Sequence, residues 1–420
     1  MALIRLAITS AILCGIAAPL AHAADLADFS EARWSGLYAG VRVGVGANSL
    51  EWQRYSGPDL TPYAKLGKAT GNAGLLGGFN WQIDRTVVGI ELGADWLNSE
   101  VRETDQDKAA FHNEWMFNFS GRAGYLVTPN TLFYGKAGWA LIETKAPADY
   151  WSESSDSHWL NGIQAGIGLE SKLSDHVTLR AEASYTTALE RLMIDDDFYS
   201  AKPSFLAAQL ALTYQFGNQA KAAATAPAFA KMTDWTGFYA GVHGGGSAAG
   251  SVLYDYFVDG EDGPFSEIGA SVGASVGYDW QVAPRIVVGL EGSADWLNIK
   301  NTELGETTDF VSYDWMAAVT ARAGYLIDPA TLAYAKAGWA VIDTKTNRDY
   351  FFDDARSATL NGIQVGAGIE TRLTSNVSLK VEGLYTEATE KLWLNFGDIP
   401  DVNYIKPAIV TGNVGLAARF

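Results

Sequence analysis

From Val88 to Trp96 the chain alternates without interruption. Val88, Ile90, Leu92, Ala94 and Trp96 fall on one side, and Gly89, Glu91, Gly93 and Asp95 on the other. A period of two marks a strand with one apolar face and one polar or small face. The same alternation runs through Trp115 to Val127, Gly162 to Glu170 and Val177 to Thr186. Eight such runs are predicted in the first half of the chain, near 37–47, 72–82, 86–97, 115–127, 131–143, 161–173, 177–187 and 205–216. Their connections alternate too. Asp84-Arg85, Thr128-Pro129-Asn130 and Ser174-Asp175-His176 are tight, whereas 48–71, 98–114, 144–160 and 188–204 are long and polar. A rim of short turns opposite a rim of long loops predicts an antiparallel up-and-down barrel of the transmembrane kind.

The pattern occurs twice. Asp95-Trp96-Leu97-Asn98 returns at Asp295, Arg122-Ala123-Gly124-Tyr125-Leu126 at Arg322, and Lys136-Ala137-Gly138-Trp139-Ala140 at Lys336, all at one offset (295 − 95 = 200). Trp34-Ser35-Gly36-Leu37-Tyr38-Ala39-Gly40 returns as Trp235-Thr236-Gly237-Phe238-Tyr239-Ala240-Gly241, and Phe216 returns as Phe420. Self-similarity of this length divides the chain into a first repeat, 24–216, and a second, 235–420. The Ala-rich stretch 217–234 between them, with Pro227, reads as a linker.

Aromatic positions give the barrel its heights. By parity Trp81, Trp96, Trp115, Tyr125 and Tyr214 of the first repeat point outward, as do Trp280, Trp296, Trp315 and Tyr325 of the second. Trp96 and Trp115 then stand at the long-loop rim, and Trp81, Tyr125, Tyr214 and the terminal Phe216 at the other. Ten steps separate Trp115 from Tyr125, about 33 Å along a strand. With a tilt near 45° that is about 23 Å of height, close to the apolar band of roughly 25 Å on outer-membrane barrels. A soluble sandwich or lipocalin-like barrel alternates as well, but it would keep its apolar side inward and its charges out.

The first residues add a destination. Arg5 is the only charge before an apolar run from Leu6 to Ala18, and Ala21-His22-Ala23 follows. That is the layout of a cleaved Sec signal peptide over 1–23, with the run too short for a membrane span. Cys14, the only cysteine, lies inside it, so disulfides are not expected in the mature chain. The 44 glycines and 12% aromatics suit antiparallel barrels, and a net charge of -18 argues against nucleic acid as a partner.

Taken together, the Trp-(Ser/Thr)-Gly-(Leu/Phe)-Tyr-Ala-Gly opening, the glycine-rich paired strands and the closing phenylalanine resemble the small outer-membrane immunogenic proteins of alphaproteobacteria. These are porin-like surface antigens, similar in barrel architecture to the membrane domain of outer membrane protein A. The resemblance covers essentially the whole mature chain, once per repeat. It implies an eight-stranded barrel, insertion by the barrel assembly machinery through a strand ending in Phe216 or Phe420, and exposure at the surface of a Gram-negative cell. The duplication departs from the family's usual single barrel.

Parity also collects the inward ionisable residues. In the first repeat these are Arg42, Glu91, Asp95, Arg122, Lys136, Glu170, Arg180 and Glu182, four acids against four bases. The second keeps Glu291, Asp295, Arg322, Lys336, Glu370, Lys380 and Glu382, has His243 in place of Arg42, and adds Asp279 where the first has Asn80. Buried charges persist when paired, and eight-stranded barrels are just wide enough for side chains to fill. A balanced ion-pair network, with room made by the inward Gly89, Gly93, Gly138, Gly166 and Gly168, is therefore expected rather than a charged pore or a catalytic carboxylate pair. None of His112, His158, His176 and His243 is duplicated, and no spaced His/Cys set suggests a metal. No cofactor and no enzymatic activity are expected. Asp195-Asp196-Asp197 and Asp353-Asp354 read as hydrated loop tips.

The chain is thus expected to be all-β, two tandem eight-stranded transmembrane barrels side by side, with one sixteen-stranded barrel as the alternative. The expected role is an envelope and surface-contact protein of the outer membrane, the alternative a porin for small solutes. The lipid bilayer and lipopolysaccharide are the expected partners.

Overall fold

The computed structural model describes residues 33–56, 59–102, 109–147, 155–194, 199–217, 234–255, 260–302, 309–346, 357–396 and 399–420. The leader and its cleavage site, most of the linker, and both Asp clusters lie outside the described residues.

The first repeat contributes β1 (Gly36–Ser56), β2 (Asp59–Leu66), β3 (Ala69–Ile83), β4 (Thr86–Arg102), β5 (Ala109–Thr128), β6 (Thr131–Pro147), β7 (Ser155–Lys172), β8 (Val177–Ala188), β9 (Leu192–Ile194) and β10 (Tyr199–Gln215). The second contributes β11 (Gly237–Asp255), β12 (Gly260–Ala283), β13 (Ile286–Thr302), β14 (Asp309–Asp328), β15 (Thr331–Thr346), β16 (Ser357–Arg372), β17 (Val377–Ala388), β18 (Leu392–Phe396) and β19 (Ile399–Arg419).

Eight antiparallel pairings close each ring. In the first, β1, β3, β4, β5, β6, β7, β8 and β10 pair in that order and β10 returns to β1. In the second, β11 to β17 and then β19 pair in order and β19 returns to β11. Short β2 and β9 extend the neighbouring strands of the first ring, and β18 those of the second. Because each terminal strand closes on the first strand of its own repeat, the sixteen-stranded alternative is overturned.

Closure uses the repeated opening motif. Phe216 donates its backbone N–H to Leu37 O at 2.8 Å, and Phe420 donates to Phe238 O at 2.9 Å. Gly36 and Gly237 turn the chain into the first strand at φ 135° and 147°, a region glycine enters readily. A Cβ on Gly237 would stand 2.6 Å from the Phe420 carbonyl oxygen.

Strand length departs from the expectation. The segments 48–71, 98–114, 144–160 and 188–204 are not long polar loops over their whole length, because the ladders continue through much of them. The reason lies inside. Leu50, Leu97, Phe111, Met116, Ile142, Leu160, Leu192 and Phe205 pack as an inward apolar cluster above the charged layer. Leu297, Ile299, Val311, Tyr313, Met316, Ile342, Leu360 and Ile405 do the same in the second barrel. Burying these side chains needs a continuous wall around them. The Asp-Trp-Leu-Asn repeat sits at the boundary: Asp95 faces the charges, Trp96 the outside, Leu97 the apolar cluster, and Asn98 takes φ 46° where the β4–β5 register shifts.

The barrels stand side by side with their short-turn rims at the same end, where the Thr131 and Thr331 hydroxyls are 3.1 Å apart.

Candidate functional site: the filled interiors

Every ionisable residue assigned inward by parity is buried. Glu91 is the hub of the first barrel. It accepts from Arg180 Nη1 at 2.5 Å and Tyr38 Oη at 2.9 Å, with Lys136 Nζ at 3.4 Å and Arg122 Nη1 at 3.9 Å. Glu170 takes Arg122 Nη2 at 2.7 Å and Arg180 Nε at 2.9 Å, and Glu182 takes Lys136 Nζ at 2.6 Å. Toward the long-loop rim Arg42 donates Nε–H and Nη2–H to the two oxygens of Asp95, at 2.6 and 2.5 Å. Fork-on-fork geometry of this kind is the strong form of the ion pair.

Of the five glycines expected to make room, Gly93, Gly166 and Gly168 face long side chains of the network, whereas Gly89 faces Asn80 and Gly138 the Phe119 carbonyl and Ser120. A Cβ on Gly93 would lie 2.4 Å from Arg42 Nη2, and one on Gly168 2.6 Å from the Tyr134 hydroxyl.

The second barrel rebuilds the layer with other residues. Glu291 has Lys336 at 2.7 Å, Lys380 at 3.4 Å, Arg322 at 3.9 Å and the Tyr239 hydroxyl at 2.9 Å. His243 Nε2 is 2.6 Å from Asp295 Oδ1, replacing the arginine fork. Where Arg180 touches both Glu91 and Glu170, its counterpart Lys380 touches Glu291 and Glu382. Arg419 serves Glu370 instead, at 3.0 Å, and also holds Asp279 at 2.8 Å. Asp279 and Arg419 stand where the first barrel has Asn80 and Gln215, an acid and a base in place of two amides. Parity had placed Asp279 inside. Arg419 was missed, although its alignment with Gln215, one residue before each terminal phenylalanine, marks it.

Two other sets were missed. Tyr38, Tyr134, Tyr239 and Tyr334 direct their hydroxyls into the network, onto Glu91, Glu182, Glu291 and Glu382. Arg122 lies 4.1 Å from the Tyr134 ring centroid and Arg322 4.7 Å from that of Tyr334. The tyrosines share inward parity with Arg42, Lys136 and their counterparts, which was the available signal. Trp34, ahead of the first strand, turns into the short-turn mouth. It packs with Val87, Leu126, Leu132 and Tyr134 and donates its indole N–H to Pro129 O at 3.2 Å. Trp235 repeats this with Pro329 at 3.2 Å. These tryptophans explain the first residue of the repeated motif.

Each interior is therefore stacked in three layers: a tryptophan-plugged base, an ion-pair middle and an apolar top. Above Arg42 and Asp95 an inner cavity lined by Asn72, Asp95, Leu97, Met116, Thr186 and Phe205 measures about 20 Å³, roughly enough for one water. Every carboxylate of the middle layer has a basic side chain within 4 Å, and the packed interior supports the wall around it.

The outer surface carries the girdles. Trp96 pairs with Trp115, and Trp296 with Trp315, across β4–β5 and β13–β14. These four are exposed, as are Trp81, Tyr214, Trp280, Tyr325, Phe216 and Phe420, while Tyr125 is half-buried. Leu75, Ile90, Leu92, Phe117 and Phe119 lie exposed between the two heights in the first barrel.

The match to family models agrees with this architecture. The family model described as outer membrane protein beta-barrel domain matches twice, over residues 10–216 and 220–418. The 31 kDa outer-membrane immunogenic protein of Brucella melitensis is 27% identical over 235 residues, 50% of this chain and 94% of that protein. The 22 kDa outer membrane protein of Rhizobium leguminosarum is 32% identical over 164 residues, 37% of this chain and 66% of that protein. Among solved structures, Neisserial surface protein A covers 44% of this chain and 98% of its own at 17% identity and a TM-score of 0.27. The chain belongs to the outer membrane protein beta-barrel family and carries that domain in tandem.

Proposed function

We propose that this outer-membrane protein is a non-conducting, non-catalytic surface protein: two filled barrels anchor and raise long-loop tips above the membrane for envelope and surface contact. The filled interior carries the reading. A solute crossing the first barrel would have to displace Trp34, break the Glu91 hub and part the Leu97–Met116–Phe205 layer, three obstacles in series. Ladders that continue past the aromatic girdle give the tips a stiff base. Names of relatives such as the Brucella outer-membrane immunogenic protein fit this role. Lipopolysaccharide is the proposed neighbour at the long-loop rim, and the barrel assembly machinery the proposed route of insertion. Planar-bilayer recording on the full-length refolded protein tests the reading. The expected trace is a flat baseline, and large, stable unitary currents would replace this proposal with a porin.

A further inference from the structure

The lipid-facing wall of each barrel is not uniform. Ile163 and Leu169 share a strand and an outward parity, yet Ile163 is 46% exposed and Leu169 is 0%. Their counterparts Ile363 and Ile369 stand at 55% and 0%. What covers Leu169 and Ile369 is the other barrel. Val127, Leu169 and Ala181 of the first repeat form one cluster with Ile369, Leu379 and Val381 of the second. Nearer the long-loop rim Ala47 and Leu206 cluster with Ala248 and Val410.

The contacts are reciprocal. A Cβ on Gly383 would fall 2.6 Å from Ala208 Cβ, and one on Gly412 2.7 Å from Ala183 Cβ. Gly383 is the repeat counterpart of Ala183 (383 − 183 = 200), and Gly412 that of Ala208 (412 − 208 = 204, the offset of Phe420 from Phe216). Residue i of one barrel thus meets j of the other, and j meets i, which is the signature of a two-fold, self-complementary interface. Thr131 and Thr331, counterparts of each other, touch at the short-turn rim, as residues on such an axis must. In a membrane apolar area alone gives no advantage, because lipid tails are as apolar as leucine. Association there depends on small residues that let backbones approach closely. Alanine facing glycine, twice, meets that requirement.

We propose that the outer face of β8 and β10, with its counterpart on β17 and β19, is a barrel-pairing surface whose partner is the other repeat of the same chain. The seam locks the tandem into one rigid body, and the linker is not needed to hold it. The seam also hides apolar wall from lipid, so the protein presents two unlike sides to the membrane, one seam and one outer perimeter.

The test uses full-length protein with Cys14→Ser, a protease site placed within 217–234, and refolding into lipid vesicles. With Thr131→Cys and Thr331→Cys together, at the seam position where the two hydroxyls lie 3.1 Å apart, an oxidant should join the two halves, so that linker cleavage leaves a single band on a non-reducing gel. Phe119→Cys with Val319→Cys, both on the outer perimeter, should leave two. Without any cysteine, the cleaved halves should still co-elute in mild detergent, and Gly383→Trp with Gly412→Trp should separate them. Heat-modifiable migration of each half reports that both barrels remain folded in that variant, and Gly383→Ala with Gly412→Ala gives a smaller perturbation if they do not. Cleaved halves that separate at once and a seam pair that fails to cross-link would overturn the proposal. Cross-linking only between two chains would also overturn it, assigning the face to a second copy.

Discussion

Glu91 meets three cations, more than any other described acid of the first barrel, and its removal is the sharpest test of the ion-pair layer. In Glu91→Ala, Arg122, Lys136 and Arg180 lose an acceptor that lies 3.9, 3.4 and 2.5 Å away, and the Tyr38 hydroxyl loses its own at 2.9 Å. At an effective dielectric near 20, each cation about 4 Å away gains roughly 4 kcal/mol of gross attraction. Most of that offsets the several kcal/mol required to desolvate each ion. What the mutation exposes is the other side of the balance: three buried cations share the two remaining carboxylates, Glu170 and Glu182. Removing one partner from a buried pair costs about 3–5 kcal/mol, and the hub position places Glu91→Ala toward the upper end. A paired change, Glu91→Leu with Arg180→Met, removes one charge of each sign and restores apolar volume, so it should recover at least half of the loss. The assay is reversible urea unfolding in lipid vesicles at pH 7, followed by tryptophan fluorescence and heat-modifiable migration. A loss below about 1 kcal/mol for Glu91→Ala, or a paired variant no better than the single, would refute the network as the element that holds the wall.

Three further outcomes follow from the geometry. Trp34→Ala leaves an unfilled volume at the short-turn mouth and should cost about 3–5 kcal/mol in the same assay; an unchanged urea midpoint would show that the plug is not part of the folded core. Gly93→Ser places a side chain where Arg42 Nη2 lies and should destabilise by about 1–3 kcal/mol. A Cβ there would also meet Asn118 Oδ1 at 2.6 Å, and the second barrel has His243, Ser293 and Ala318 at these three positions; Arg42→His and Asn118→Ala combined with Gly93→Ser should therefore be better tolerated than Gly93→Ser alone, and equal losses would refute the steric coupling. At the long-loop rim Glu390 accepts the Asn361 backbone N–H at 2.8 Å and its side-chain amide at 2.9 Å, which holds the carboxyl below its usual range. A depressed carboxyl favours the clasp above its unfolded pKa and releases it as pH falls through the folded one. The Asn361 amide resonance should therefore move on acidification in the intact protein and stay fixed in Glu390→Gln.

The sequence by itself determined what depends on neighbouring positions. Period-two alternation assigns Glu91 and Lys136 to one face and Trp96 and Trp139 to the other, whatever the strand pairs with, because successive side chains must alternate. The duplication was equally visible, since counterparts recur in order at offsets of 199 to 204. Everything that depends on distant closure required the tertiary structure. Whether β10 meets β1 or β11 is not written in either strand, because both offer the same ladder of amides; the geometry of the closed ring decided it. The alternation of Leu97, Met116 and Ile142 could not by itself separate an inward apolar layer above the membrane from a loop. The network partners Tyr38 and Arg419 carried the right parity, but which carboxylate each meets depends on the stagger of strands far apart in the chain. The seam was hidden for a simpler reason. An alanine facing lipid and an alanine facing another barrel satisfy the same apolar rule, and only the approach of Ala208 to Gly383 distinguishes them.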